Sequence, residues 1–149
     1  MAKFKVNGVD GLDLTYERKS QLSTDDLLRI IRPGAELMQS RFVQKVQAIF
    51  TQHSGDLANS FKIRERKSDD GAAISIAPEG KHSPNGRGIR NRKKSGKPKT
   101  NAEVAFVLEY GSPRMAAAHF MENTIDESEA DVIAAMDAEF NKILDERGL

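Results

Sequence analysis

The constraint that narrows the fold most is a long apolar stripe near the C-terminus. Ile125, Val132, Ile133, Met136, Phe140, Ile143 and Leu144 recur at helical spacing, with acidic residues between them. The pattern predicts one helix from Phe120 to about Asp145. A helix of this kind draws most of its stability from whatever covers its apolar side. The rest of the chain must therefore build that cover.

Upstream, Ser23 with Asp26 three positions on gives a capping-box-like start to a short helix carrying Leu27, Leu28, Ile30 and Ile31. Pro33 then intervenes. Because proline is well tolerated in a first helical turn, a second helix is expected to begin near it, with Ala35, Met38, Phe42, Val46, Ile49 and Phe50 as its stripe. Ser54-Gly55-Asp56 reads as a turn. Phe61-Lys-Ile-Arg-Glu-Arg66 then alternates apolar and charged residues as a half-buried strand does, Ser68-Asp-Asp-Gly71 supplies a hairpin turn, and Ala73-Ile-Ser-Ile-Ala77 is the partner strand. Residues 102–110 are apolar again, and periodicity leaves a third strand and a short helix as alternatives. Residues 1–20 support a weak strand or an N-terminal arm.

The expected architecture is α+β: a small, mostly antiparallel sheet packed by a long helix from the N-terminal half and a long C-terminal helix, with a long basic loop. With 149 residues and 38% apolar content, one domain spanning 1–149 is expected. No run approaches the roughly 18 apolar residues of a membrane helix, and MAKFKVNGVDG lacks an apolar signal-peptide core, so a cytosolic product without membrane contact is expected. The absence of cysteine excludes disulfides, thiolate metal sites and cysteine nucleophiles.

A net charge of +1 hides strong segregation. Residues 81–102 carry 8 basic residues and no acid, while residues 103–149 carry 3 basic and 11 acidic residues. Such a dipolar layout suits head-to-tail packing of identical subunits, one protomer's basic loop against the next one's acidic helix. It suits DNA held against the loop equally well. Residues 81–101 have no apolar periodicity and exceed the roughly 12–15 residues a compact domain spends on a structureless loop, so a mobile or functional loop is expected there. Its Arg87, Arg90, Arg92, Lys93, Lys94, Lys97 and Lys99 are candidate contacts to a neighbouring subunit or to DNA phosphates. The bland alternative is a solvated loop. With no aromatic residue between Lys81 and Asn101, base stacking is not expected.

Catalytic constellations are hard to find. His53, His82 and His119 have no spacing that places two on one helical face, and no metal, cofactor or catalytic residue is expected. Asp126, Glu129 and Asp137 read as a solvated or interface face of the last helix rather than as paired acid and base. Gly80 and Gly86-Arg-Gly88 do not make a phosphate-binding loop.

The string VLEYGSPRMAAAHFMENTIDES, residues 107–128, and Ser54-Gly-Asp-Leu-Ala-Asn-Ser-Phe61 upstream carry a family resemblance. They resemble segments of the neck, or tail-completion, proteins of long-tailed bacteriophages. His119 stands where that family places proline, and the basic insertion between the two motifs is this chain's own. The resemblance implies a structural virion protein of the head-to-tail interface, present in host cytoplasm during assembly, that forms a ring, hexameric by analogy with neck and tail-tube symmetry. The ring would complete the tail and join it to a head connector or head-closure protein, with the tail tube on its other side. It places Glu109, Tyr110, Gly111, Ser112, Arg114 and Phe120 at a subunit or partner interface, although Phe120 reads from its position as a core anchor. Two alternatives stay open: a tail terminator capping the tube, and a small DNA-binding protein acting through the basic loop.

Overall fold

The computed structural model describes residues 22–49, 56–69, 71–81 and 100–148, and among these the chain forms three helices and one hairpin. Helix α1 is Thr24–Ile49, strands β1 and β2 are Phe61–Ser68 and Gly71–Pro78, α2 is Asn101–Tyr110 and α3 is Phe120–Arg147. A short 3-10 turn, Ala58–Ser60, leads into β1. The expected N-terminal arm or strand, Phe50, the Ser54-Gly55 part of the first turn, and residues 82–99 of the basic loop lie outside the described residues.

The capping box forms as its sequence predicts. The Asp26 carboxylate accepts from Ser23 N at 2.8 Å, and Ser23 Oγ accepts from Asp26 N at 3.2 Å. Burial works against the charge on Asp26, but the hydrogen bonds from Ser23 and the Arg147 guanidinium outweigh it and hold the carboxyl below its usual value.

The two helices expected on either side of Pro33 are one continuous helix, with Pro33 inside it. An interior proline costs about 3 kcal/mol. Leu28 and Ile30 before it and Ala35, Met38, Phe42 and Val46 after it are all buried, so both segments gain by sharing one axis. Gly34 explains why the chain comes so close to its neighbour here. A Cβ on it would lie 2.9 Å from Met136 Cγ and 3.0 Å from Val132 Cγ1, so α3 crosses against bare backbone.

Helix α1 packs against both the hairpin and α3. It runs antiparallel to α3, as its ion pairs record: Asp26 with Arg147, Arg29 with Glu139 and Glu146, Arg41 with Asp131, and Lys45 with Glu127. Part of the C-terminal acidity is thus neutralised within the chain by α1. Exposed pairs of this kind are each worth only about 0–1 kcal/mol, so apolar burial sets the packing and the charges tune its register.

Three rings join the layers. Phe61 of β1 stacks on Phe42 of α1 at 5.5 Å and meets Phe120 of α3 edge-on at 6.4 Å. In α3 the buried stripe is Phe120, Thr124, Ser128, Val132, Met136, Phe140 and Ile143. Ile133, expected on that stripe, is 50% exposed on the opposite side. Residues 101–110 are helical, which removes the third-strand alternative, and among the described residues the sheet has only the two antiparallel strands.

The hairpin register runs from Phe61 opposite Pro78 to Ser68 opposite Gly71, longer at both ends than the alternation alone indicates. Beyond β2, Lys81 and Thr100 form an isolated antiparallel bridge. Asn101 N donates to Gly80 O at 3.0 Å, and Asn101 Nδ2 to Glu79 O at 2.8 Å. The chain therefore leaves at Lys81 and returns at Thr100 through one hydrogen-bonded clasp.

Two outcomes test this architecture. Gly34→Val should destabilise the protein by about 1–3 kcal/mol through overpacking against α3, read as a lower urea midpoint with the helical spectrum retained. Replacing residues 82–99 with an Asn-Gly turn should leave the urea midpoint equal or higher, because the clasp already holds the two ends in antiparallel register; a lower midpoint would mean that the segment contributes to the core.

Candidate functional site

The motif at the end of α2 folds into a braced loop. Helix α2 starts with a complete capping box, Thr100 Oγ1 accepting from Glu103 N at 3.2 Å and the Glu103 carboxylate from Thr100 N at 3.0 Å. It ends at Gly111, whose φ of 80° lies in the region that favours glycine. Space enforces the same choice, since a Cβ there would meet Ala117 N at 2.8 Å and Met115 O at 2.9 Å. Ser112 to Met115 then turn back on themselves, Ser112 N donating to Met115 O at 2.8 Å and Met115 N to Ser112 O at 3.0 Å.

The returning segment runs along the open end of α2. Ala118 N donates to Leu108 O at 2.8 Å and His119 N to Glu109 O at 3.3 Å, so carbonyls a helix end leaves orphaned are satisfied by the loop. His119 precedes α3 with φ 47° and ψ 37°, and its side chain does not cap the helix. Glu109 supplies the cap instead. Its carboxylate, only 5% exposed, accepts from Met121 N at 2.8 Å and from Glu122 N at 3.1 Å. An anion at the positive end of a helix is electrostatically favourable, so one side chain ties the end of α2 to the start of α3. The left-handed backbone at His119 is closed to proline, whose φ is fixed near −65°.

These contacts sort the residues expected at an interface. Glu109 and Phe120 are inside the protomer, the first as a cap and the second in the aromatic core at 0% exposed, so neither reaches a partner directly. Gly111 is half-buried and sets the loop's path. Tyr110, Ser112 and Arg114 are exposed, Tyr110 to 58%. The cationic candidates Arg87, Arg90, Arg92, Lys93, Lys94, Lys97 and Lys99, and with them His53 and His82, lie outside the described residues.

Sequence reading missed the most exposed apolar group in this part of the fold. Phe106 is 56% exposed and packs its ring on that of Tyr110 at 4.8 Å, beside Val107 at 36%, while Met115 is 39% exposed on the adjoining turn. A signal for it exists in Val104-Ala-Phe-Val-Leu108, because five successive apolar residues on a helix cannot all face one side. Once the segment is helical, some of them must point outward.

Among the described residues one trio of metal-type ligands lies together: Glu109, His119 and Glu122, with ligand atoms within 4.8 Å of one another. Its geometry is that of a cap. Both Glu109 oxygens already accept backbone N–H groups, His119 Nδ1 lies 3.3 Å from the Glu122 carboxylate, and the positive end of α3 disfavours a cation. Among the described residues no helix is long and apolar enough to cross a membrane.

Comparison with protein-family models, with curated proteins and with solved structures finds no match.

Glu109→Ala should leave two backbone donors at the start of α3 without an acceptor and destabilise the protein by about 1–3 kcal/mol. Hydrogen exchange should localise the loss, with protection falling first at Met121 and Glu122.

Proposed function

We propose that the protein is a structural subunit of the head-to-tail interface of a long-tailed bacteriophage, working as a ring that completes the tail and joins it to the head connector. The observation that carries this reading is the exposed Phe106-Val107-Tyr110 group at the end of α2, with Met115 exposed on the braced loop that follows. Exposed apolar groups set among polar residues mark surfaces that meet another protein, and aromatic residues dominate the energy of such contacts. The same loop holds the string that resembles the neck proteins, so the resemblance and the physical argument fall on one place. On this reading the protein catalyses no reaction. Its work is to present complementary rims, one to the tail tube and one to the connector or head-closure ring, in the virion.

Electron microscopy of particles made when this gene alone is disabled tests the proposal. Separate DNA-filled heads and free tails of normal length are the expected result. Tails of abnormal length would reassign the protein as a tail terminator, and intact infectious particles would overturn a place in the neck altogether.

A further inference from the structure

The hairpin has an outward face that nothing covers among the described residues. Along β1, Phe61 is buried, Ile63 is half-buried against the core, and Glu65 and Lys67 pair with Arg32 and Asp25 of α1. Strand alternation therefore places Lys62, Arg64 and Arg66 on the other side. The register sets them opposite Ala77, Ser75 and Ala73. The result is a flat face with cations along one strand, about 6.7 Å apart, and small side chains along the other. Arg64 is held by Glu79, whereas Lys62 and Arg66 form no ion pair among the described residues.

A second surface, on α3, carries the complementary pattern. It lies on the side of α3 turned away from its buried stripe. Asp126, Ala130, Ile133 and Asp137 follow one another there at helical spacing, with Glu129 beside them. The carboxylates nearer α1, Glu127, Asp131 and Glu139, are taken by Lys45, Arg41 and Arg29. Asp126, Glu129 and Asp137 form no ion pair among the described residues, and Ile133 stands 50% exposed between the acids.

We propose that these two faces are the halves of one interface: the outer face of the hairpin in one copy receives the outer ridge of α3 from the next copy. Lys62 and Arg66 meet the unpaired carboxylates, and Ile133 settles on the flat ground of Ala73, Ser75 and Ala77. The two halves are different surfaces of the chain, so the contact is head-to-tail and repeats, closing into a ring where the rotation allows. Charge matching fixes the register and excludes like faces. A second copy suits the hairpin face better than nucleic acid does, since the same chain carries a matching set of unpaired acids and the hairpin face has no aromatic to stack a base. The biological setting rests on the ring proposed above, while the pairing of the two faces is a property of the purified protein.

Reciprocal charge reversal, read by sedimentation velocity of the full chain, tests the pairing. One variant is Lys62→Glu with Arg66→Glu, and the other is Asp126→Lys with Asp137→Lys; none of these residues belongs to the core, and an unchanged circular dichroism spectrum confirms folding. The wild-type protein should sediment as an oligomer and each variant alone at the mass of one chain. An equimolar mixture of the two variants should regain the oligomer, because each one's reversed face then fits the other's. A monomeric wild-type protein, a variant that stays oligomeric alone, or a mixture that stays monomeric would each overturn the proposal. Loss of duplex DNA binding in the hairpin variant with no change in mass would also overturn it, in favour of a phosphate-binding face. A regained oligomer combined with infectious particles from the disabled gene would sink the neck role and leave the pairing standing.

Discussion

The double burial of α1 is the interaction on which the other elements depend. This helix covers both the hairpin and α3, so neither partner needs a second layer of its own. A two-stranded hairpin is at best marginally stable in water, and a 28-residue amphipathic helix is not stable with its stripe exposed. Both requirements meet at Phe61, whose ring touches Phe42 of α1 and Phe120 of α3. Tolerance of Pro33 follows from the same fact. Ending the helix there would uncover Leu28 and Ile30, or else Ala35 and Met38, and either loss exceeds the strain of an interior proline.

The string that resembles phage neck proteins contains residues with two different tasks. Glu109, Gly111 and Phe120 hold the loop in shape from within: a cap, a left-handed turn with no room for a side chain, and a core anchor. Tyr110 and Arg114, with Phe106 from the preceding turn of α2, are the ones that face outward. A partner that docks here meets a surface ordered before it arrives, which lowers the entropic cost of association.

Much of this fold was legible in the sequence, and the rest failed for identifiable reasons. The hairpin, its turn and both long helices follow from alternation, from Ser68-Asp-Asp-Gly71 and from helical spacing. The break at Pro33 was misjudged because a local rule was applied where tertiary burial prevails. The choice between strand and helix for 102–110 is decidable, since Thr100-Asn-Ala-Glu103 is a capping-box signature that starts two residues ahead of that stretch. Ile133 falls off the stripe because Thr124 and Ser128, small polar residues, take buried places on it. Glu109 as a cap could not be foreseen, because its partners lie twelve and thirteen residues away and meet it only through the turn at Gly111.

The clasp between Lys81 and Thr100 has a consequence for how such a chain can vary. Both ends of the intervening segment are fixed by the scaffold, so its length can change without shifting the register of the clasp. Lengthening a closed loop costs only about 0.6 kcal/mol per doubling. Insertions, deletions and wholesale changes of charge can accumulate at this one port while the helices and hairpin keep their sequence. The fold thus behaves as a fixed chassis with an interchangeable fitting, and diversity among chains built this way should concentrate between these two residues.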